Sequence, residues 1–295
     1  MKSLIFALAV IPFTALSLFT ARAATPMKVL IIDGQNNHDW NSSTPHLKKV
    51  LEATGLFSVD VATTPAKGGD MSAFKPKFSD YKVIISNYSG DRWSKETEEA
   101  LVSFVRNGGG FVPVHAANNS FPDWKEYNEM IGVGGWGGRT EKSGPRLHWE
   151  DKLVRDMSPG PGGSHGTQHP FLMVIREPNH PIMKGLPTKW MHSKDELYDR
   201  LRGPAENVTV LATAYSDPAM KGTGKNEALL FAISFGKGRV FHTALGHNNG
   251  PDLTAQQCVG FITTLQRGVE WAATGKVTQI IPSDFPTEGA VSVRP

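Results

Sequence analysis

The sequence is poor in cysteine, in charge of one sign and in long apolar runs. Cys258 is the only cysteine among 295 residues, which excludes an intramolecular disulfide and a thiolate metal cluster. Lysine and arginine number 31 against 28 aspartates and glutamates, a balance that does not indicate a nucleic-acid-binding protein. Hydrophobic residues make up 39% of the chain. This fraction supports a buried core and excludes a disordered or fibrous protein.

The first 23 residues have the pattern of a secretory signal peptide. Lys2 precedes an apolar run from Leu4 to Phe19, and Ala21-Arg22-Ala23 has the small-x-small form of a cleavage site. The run is shorter than the roughly 20 apolar residues that a membrane-spanning helix needs. An uncleaved membrane anchor is the alternative interpretation. We expect residues 1–23 to be removed, and the mature protein to be periplasmic or secreted without a membrane attachment.

Strand-like and helix-like segments alternate in the first half of the chain. Four apolar segments rich in β-branched residues predict buried strands: Lys28–Asp33, Phe57–Ala62, Tyr81–Ser86 and Phe111–Val114. Thr44, followed by proline, and Ser94 are typical helix starts. Strands separated by helices predict right-handed crossovers and a mainly parallel sheet, and therefore the α/β class.

The second half of the chain is less regular. Residues 132–170 are rich in glycine, proline and charge, which indicates an irregular insertion or a functional loop. Further strands are predicted at Phe171–Ile175, Val208–Ala212, Ala228–Phe235 and Arg239–Ala244. A last helix is predicted from about Thr254 to Ala273, with Cys258 on its apolar face, and residues 282–295 are expected to form a loose tail. Residues 24–281 are thus expected to form a single α/β domain.

Polar side chains follow several of the predicted strands. Ligands of parallel α/β sheets bind outside the carboxyl ends of the strands. Amides and carboxylates match the hydroxyls of a polyhydroxylated ligand, and a tryptophan face suits a sugar ring. The predicted substrate contacts are Asp33, Asn37, Trp40, Asn118, Asp195 and Asn248. The alternative is that these residues belong to ordinary polar surface loops.

Histidines near the same predicted edge are candidates for acid/base chemistry or metal binding. His115 directly follows a strand, as a nucleophile does in an elbow, but no Ser or Cys stands beside it. His192 and Glu196 are four residues apart and would face the same way on a helix. We predict His115 and Glu196 as proton carriers. His38, His192 and His247 are predicted ligands of a divalent metal such as Zn²⁺, or substrate contacts. A His115 ring fixed by local hydrogen bonds, with a structural role only, is the alternative.

Four segments taken in order resemble the ThuA-like family, which is named for trehalose utilisation. They are KVLIIDGQNNHDW, RNGGGFVPVHAANN, NHPIMKGLPTKWMHSKDELY and GKGRVFHTALGH, and they cover about residues 27 to 275. The resemblance implies a flavodoxin-like three-layer sandwich similar to class I glutamine amidotransferases. His115 takes the place of their nucleophilic cysteine, so glutaminase activity is not expected. The motif positions of the family are His38, His115, His180, Asp195, Glu196, Gly246 and His247.

The resemblance also has one departure and one functional implication. The family commonly shows a Glu-Pro…Trp strand before the Gly-Lys-Gly turn, where this chain has Glu227-Ala228-Leu229-Leu230-Phe231. The family's role in sugar metabolism, together with the polar loops, predicts an exported protein that acts on a glycoside or keto-sugar. The reaction is expected to use acid/base chemistry, with or without a divalent metal. A non-catalytic sugar-binding or scaffold module is the alternative. The expected partner is a small-molecule carbohydrate and not a nucleic acid, and the sequence makes no prediction of the oligomeric state.

Overall fold

The computed structural model describes residues 25–295, so the predicted signal peptide at residues 1–23 lies outside the described residues. The strands are β1 (Met27–Asp33), β2 (Phe57–Thr63), β3 (Val83–Ser86), β4 (Gly110–Pro113), β5 (Arg146–Trp149), β6 (Leu153–Asp156), β7 (Ser164–His165), β8 (His169–Ile175), β9 (Lys189–Asp195), β10 (Tyr198–Asp199), β11 (Val208–Tyr215), β12 (Asn226–Phe235) and β13 (Gly238–Thr243). The helices are α1 (Trp40–Glu52), α2 (Lys95–Arg106), α3 (Lys125–Ile131), α4 (Thr254–Gln257) and α5 (Val259–Thr274).

An 11-stranded mixed sheet forms the centre of the fold, in the order β2-β1-β3-β4-β13-β12-β11-β8-β9, with β5 and β6 attached to β12. The five strands from β2 to β13 are parallel to one another. The pairs from β13 to β9 are antiparallel. The predicted α/β class is therefore confirmed, with a parallel and an antiparallel half in one sheet. Four antiparallel pairings separate β9 from β13, so both strands end at the same edge.

The parallel half is built from the apolar segments that the sequence predicts. Residues 29–32 of β1 are at most 2% exposed, because helices and neighbouring strands cover both faces. Helix α5 packs on β4 and β13, and α1 packs on β1 and β2. Helix α1 begins four residues before the predicted start at Thr44. The cause is Asp39, whose carboxylate accepts hydrogen bonds from the main-chain N of Asn41 and the hydroxyl of Ser42.

The last predicted helix is broken in two at Cys258. The backbone of Cys258 has φ −58° and ψ 125°, which is not helical, so α4 ends before it and α5 begins after it. Its side chain is fully buried. The prediction of one continuous helix from Thr254 to Ala273, with Cys258 on its apolar face, is wrong at this point, because the segment after Ile281 pairs with the junction.

Residues 282–295 are held in place and do not form the expected loose tail. The main-chain N of Val259 donates to Ser292 O at 2.9 Å, and that of Met191 donates to Thr287 O at 2.7 Å. These bonds tie the segment to α5 and to β9. Backbone groups paired in this way resist fraying.

The expected irregular insertion, residues 132–170, contains β5, β6, β7 and one short 3₁₀ helix. Strand β5 pairs with the edge of β12, and β7 pairs with β10 in a separate two-stranded sheet. The insertion is therefore partly ordered by the neighbours that it meets. Within residues 25–295 no helix is both long and apolar enough to cross a membrane.

Candidate functional site

Three histidines and one glutamate meet at the carboxyl edge of the sheet. His38 follows β1, His115 follows β4, His247 follows β13 and Glu196 follows β9. The ring centroids of His38 lie 4.8 Å from His115 and 4.7 Å from His247. The Glu196 carboxylate reaches two of the rings, with Oε1 3.3 Å from His247 Nε2 and Oε2 3.5 Å from His115 Nε2. We call these four residues the histidine–glutamate cluster.

His115 presents a free imidazole nitrogen to this cluster. Its Nδ1 lies 2.8 Å from Ala244 O. A carbonyl only accepts, so Nδ1 carries the proton, and in the neutral ring Nε2 holds a lone pair. Nε2 is buried and has no hydrogen-bond partner among residues 25–295. The ring also stacks on Tyr198, with 4.2 Å between centroids. The backbone of His115 has φ +47°, a conformation that costs a non-glycine residue energy and is concentrated at functional sites.

The charges of the cluster are set by burial and by mutual contact. Burial alone would raise the pKa of Glu196, but the hydrogen bond and charge of His115 and the charge of His247 outweigh it and lower that pKa to about 2. Burial and repulsion from His115 and His247 lower the pKa of His38 to about 3. Burial also lowers the pKa of His247. At neutral pH, Glu196 is therefore ionised, and His38 and His247 are neutral.

Asp195 holds two members of the cluster in position from behind. Its Oδ1 accepts from the main-chain N of Glu196 at 2.7 Å and of His247 at 3.0 Å. Its Oδ2 accepts from Gly246 N and from His192 Nε2, both at 2.8 Å. The carboxylate is fully buried. Burial would raise its pKa, but His192 and the other donors lower it. Asp195 therefore joins the end of β9 to the loop after β13, and the prediction that it contacts substrate is wrong.

His192 does not reach the cluster, so its prediction as a metal ligand or substrate contact is corrected. It lies on β9, where it pairs with Phe171 of β8, and not on a helix with Glu196. Its side chain is fully buried between Asp195 and Cys258. Burial alone would lower its pKa, but these two neighbours raise it to about 10. His192 therefore acts as a support for Asp195.

Three other predicted substrate contacts are buried behind the edge. Asp33 is 2% exposed and accepts from Thr63 Oγ1 at 2.7 Å. Asn118 is fully buried, with Nδ2 3.0 Å from Nε2 of His242. Asn248 is 3% exposed and uses Nδ2 to donate to loop carbonyls. These predictions are wrong as direct contacts, because hydrogen bonds inside the protein already use these side chains.

Asn37 and Trp40 do lie at the open edge. The exposed Asn37 has its Nδ2 3.1 Å from His38 Nε2, and the half-buried Trp40 lines a cleft of about 590 Å³. A second cleft, of about 700 Å³, runs along α2, but no histidine lines it. The cleft at Trp40 is therefore the one that borders the predicted site.

Three residues around the cluster were missed or given little weight by sequence reasoning. His165 Nε2 lies 3.5 Å from Glu196 Oε1, and Gln168 Nε2 lies 3.3 Å from the same oxygen. Tyr198 stacks on His115. Two of them come from the irregular middle of the chain, where no periodicity marks a residue, and its histidine content was the only available signal. The family motif residue His180 lies outside the cluster and packs on Trp271, with 4.8 Å between ring centroids.

Acid should destabilise the fold through His38 and Glu196. The pKa of His38 falls from 6.5 to about 3 on folding, so its stabilisation is complete above pH 6.5 and is lost as the pH falls towards 3. Glu196, lowered from 4.5 to about 2, adds a second loss below pH 4.5. We expect urea unfolding to give a lower free energy at pH 4 than at pH 7. The difference should shrink in His38→Asn but not in the control Asn41→Ala, and equal differences in all three proteins would contradict this.

The comparisons with known proteins point to one family. The family model described as ThuA, trehalose utilisation, matches residues 28–272. A ThuA-like protein from Parabacteroides merdae is 51% identical, with a TM-score of 0.89 over 92% of this chain and 98% of that one. A ThuA-like protein from Bacteroides uniformis is 20% identical, with a TM-score of 0.57 over 88% and 98%, and so shares the fold. No curated protein matches this chain.

Proposed function

We propose, from the premise that this chain belongs to the ThuA family of trehalose utilisation, that it processes a carbohydrate by acid/base chemistry at the histidine–glutamate cluster. The observation that carries the proposal is His115 Nε2, a buried lone pair without a partner among residues 25–295 that faces a carboxylate at 3.5 Å. An unfilled buried acceptor is costly to a fold. A substrate proton delivered to Nε2 would satisfy it.

His115 is the proposed proton carrier, and Glu196 is its charged partner. The hydrogen bond from Nδ1 to Ala244 O fixes the ring and its tautomer. When Nε2 takes a proton, the imidazolium is stabilised by the ionised Glu196. With a pKa of about 2, Glu196 itself is a poor proton donor near neutral pH. This pair suits removal of a proton next to the carbonyl of a keto-sugar and its return to a neighbouring atom, or its loss together with a leaving group.

A divalent ion such as Zn²⁺ is the second part of the proposal. His38, His115 and Glu196 each offer one ligand atom, and these atoms lie within 4.8 Å of one another. Two imidazoles and one carboxylate are a donor set that Zn²⁺ uses in catalytic sites, and the unfilled His115 Nε2 fits a ligand role. When bound, the ion would polarise a sugar carbonyl as a Lewis acid. His247, 3.3 Å from Glu196, would then be the imidazole left for proton transfer.

Metal content tests this part directly. We expect protein purified without chelator to contain about one divalent transition ion per chain by elemental analysis. His38→Ala should lose most of it, since three-ligand sites rarely tolerate the loss of one ligand. His180→Ala, which changes a histidine outside the cluster, should keep it. Metal-free wild-type protein that takes up no Zn²⁺ in equilibrium dialysis would contradict the metal and leave the metal-independent chemistry.

The catalytic proposal is tested with a panel of 3-keto and unmodified glycosides in D₂O. Proton removal beside a carbonyl should appear in NMR spectra as deuterium incorporation, and a completed reaction as product. The rival function is a non-catalytic sugar-binding module, which explains the same polar loops. Binding of a panel sugar with neither exchange nor product, with and without Zn²⁺, would favour that rival. Glutamine hydrolysis is not expected, because His115 replaces a thiol.

Export and the finer fold relationship belong to the same proposal. The signal-peptide pattern of residues 1–23 supports export to the periplasm or the medium. The parallel strands from β2 to β13 and the left-handed backbone of His115 just after β4 support a flavodoxin-like sandwich of the class I glutamine amidotransferase type. In such elbows a strained turn exposes the reacting side chain above the sheet.

A further inference from the structure

The cleft at Trp40 has walls from the same edge of the sheet that carries the cluster. Its lining comes from residues 34–37 after β1, residues 89–91 after β3 and residues 119–122 beyond β4. These strands are parallel, so all three loops lie beside His38 and His115. The volume of about 590 Å³ lies within the usual range of ligand pockets, about 300–1,000 Å³. It exceeds the space that a single sugar ring held on the cluster would fill.

The walls of this cleft have the chemistry of a sugar site. Trp40 contributes a half-buried aromatic ring. Asn119 contributes an Oδ1 atom that is buried and has no hydrogen-bond partner among residues 25–295. A buried acceptor without a donor costs about 1–3 kcal/mol, and a ligand hydroxyl would remove that cost. Few polar groups beside an aromatic surface are what a small-molecule pocket uses to orient its ligand.

Two residues connect the cleft to the cluster. Asn119 ends the short 3₁₀ helix that His115 begins. At about 2 Å rise per residue, four residues place it about 8 Å along the helix from His115. Asn37 lines the cleft, and its Nδ2 lies 3.1 Å from His38 Nε2. A ligand could therefore reach from the cluster into the cleft without crossing a wall.

We infer that the cleft is a second sugar subsite and that the substrate has at least two linked rings. One ring reacts at the histidine–glutamate cluster, and the next lies against Trp40 with a hydroxyl donating to Asn119 Oδ1. This inference rests on the proposed function, whose substrate class it narrows from any carbohydrate to a disaccharide or longer glycoside. Trp40 and Asn119 are then binding residues and take no part in proton transfer.

The test compares a two-ring probe with a one-ring probe. Isothermal titration calorimetry with trehalose and with methyl α-glucoside would be carried out on the wild type, Trp40→Ala and Trp40→Phe. The matched control is Trp149→Ala, since Trp149 is also half-buried but does not line the cleft. We expect the wild type to bind trehalose at least tenfold more tightly than the glucoside. Trp40→Ala should reduce this preference to about twofold or less, while Trp40→Phe and Trp149→Ala should retain most of it.

The outcomes separate this inference from the proposed function. Equal affinity for the two probes, no binding of either probe, or an unchanged preference in Trp40→Ala would overturn the subsite. Loss of the preference in Trp40→Ala without deuterium exchange on any sugar would uphold the subsite and reject the catalytic role. Deuterium exchange on one-ring and two-ring keto-sugars at the same rate would uphold catalysis and reject the subsite. Circular dichroism of each variant would verify that it is folded.

Discussion

Turnover of the substrate should fall by about 10³-fold when His115 is replaced by asparagine. General acid/base catalysis by one side chain is worth about 10²–10⁴-fold. Asparagine tolerates the φ of +47° better than most residues, and its amide can still donate to Ala244 O. The lost stacking on Tyr198 should lower the free energy of unfolding by about 1 kcal/mol. Steady-state kinetics and urea unfolding of the same preparation measure the two effects.

The matched control for this variant is His180→Asn. Both residues occupy positions of the family motif, but His180 packs on Trp271, outside the cluster. It should therefore keep nearly full turnover. Activity retained in His115→Asn together with a large loss of stability would support a structural role for His115. Equal losses of turnover in both variants would show that the motif, and not the cluster, defines the active residues.

The free energy of unfolding should fall by about 3–5 kcal/mol in Asp195→Asn. The carboxylate is fully buried and accepts four hydrogen bonds, one of them from His192. An amide nitrogen in its place would face a donor, and His192 would lose its charged partner. Removal of one member of a buried ion pair commonly costs this much. Turnover should fall as well, because Asp195 fixes the main chain of both Glu196 and His247. Urea unfolding at pH 7 measures the loss of stability.

Asp33→Asn is the control for a buried carboxyl at a strand end. Asp33 has one close side-chain donor, Thr63 Oγ1, and burial raises its pKa. Its charge is thus a burden, and an amide should cost less than about 1 kcal/mol. Comparable losses in Asp33→Asn and Asp195→Asn would mean that burial alone, and not the four donors, decides the effect.

The sequence allows the parallel half of the fold to be predicted, because burial on both faces leaves a local pattern. The run of apolar residues 29–32 is one such pattern, and Ser94 caps α2 as its position suggests. The break at Cys258 could not be predicted, because it depends on a segment more than 30 residues away along the chain. Local apolar periodicity continues through the break unchanged.

The site was predictable to the extent that its residues follow parallel strands. His38, His115 and His247 do so, and the sheet brings them together. His192 was misjudged because a spacing of four residues implies a shared helix face only where there is a helix. Pairing of β9 with β8 makes it a strand residue facing the core. His165 and Tyr198 belong to a two-stranded sheet that only tertiary contacts create.

The burial of Cys258 makes the protein well suited to thiol labelling. It is the only sulfhydryl in the chain, and its side chain is inaccessible at the junction of α4 and α5. A maleimide dye would react with it only during transient opening, so the labelling rate reports how often that region opens. A cysteine introduced on the surface would react first and alone. Fluorophores can therefore be attached at a chosen point without removing the native residue.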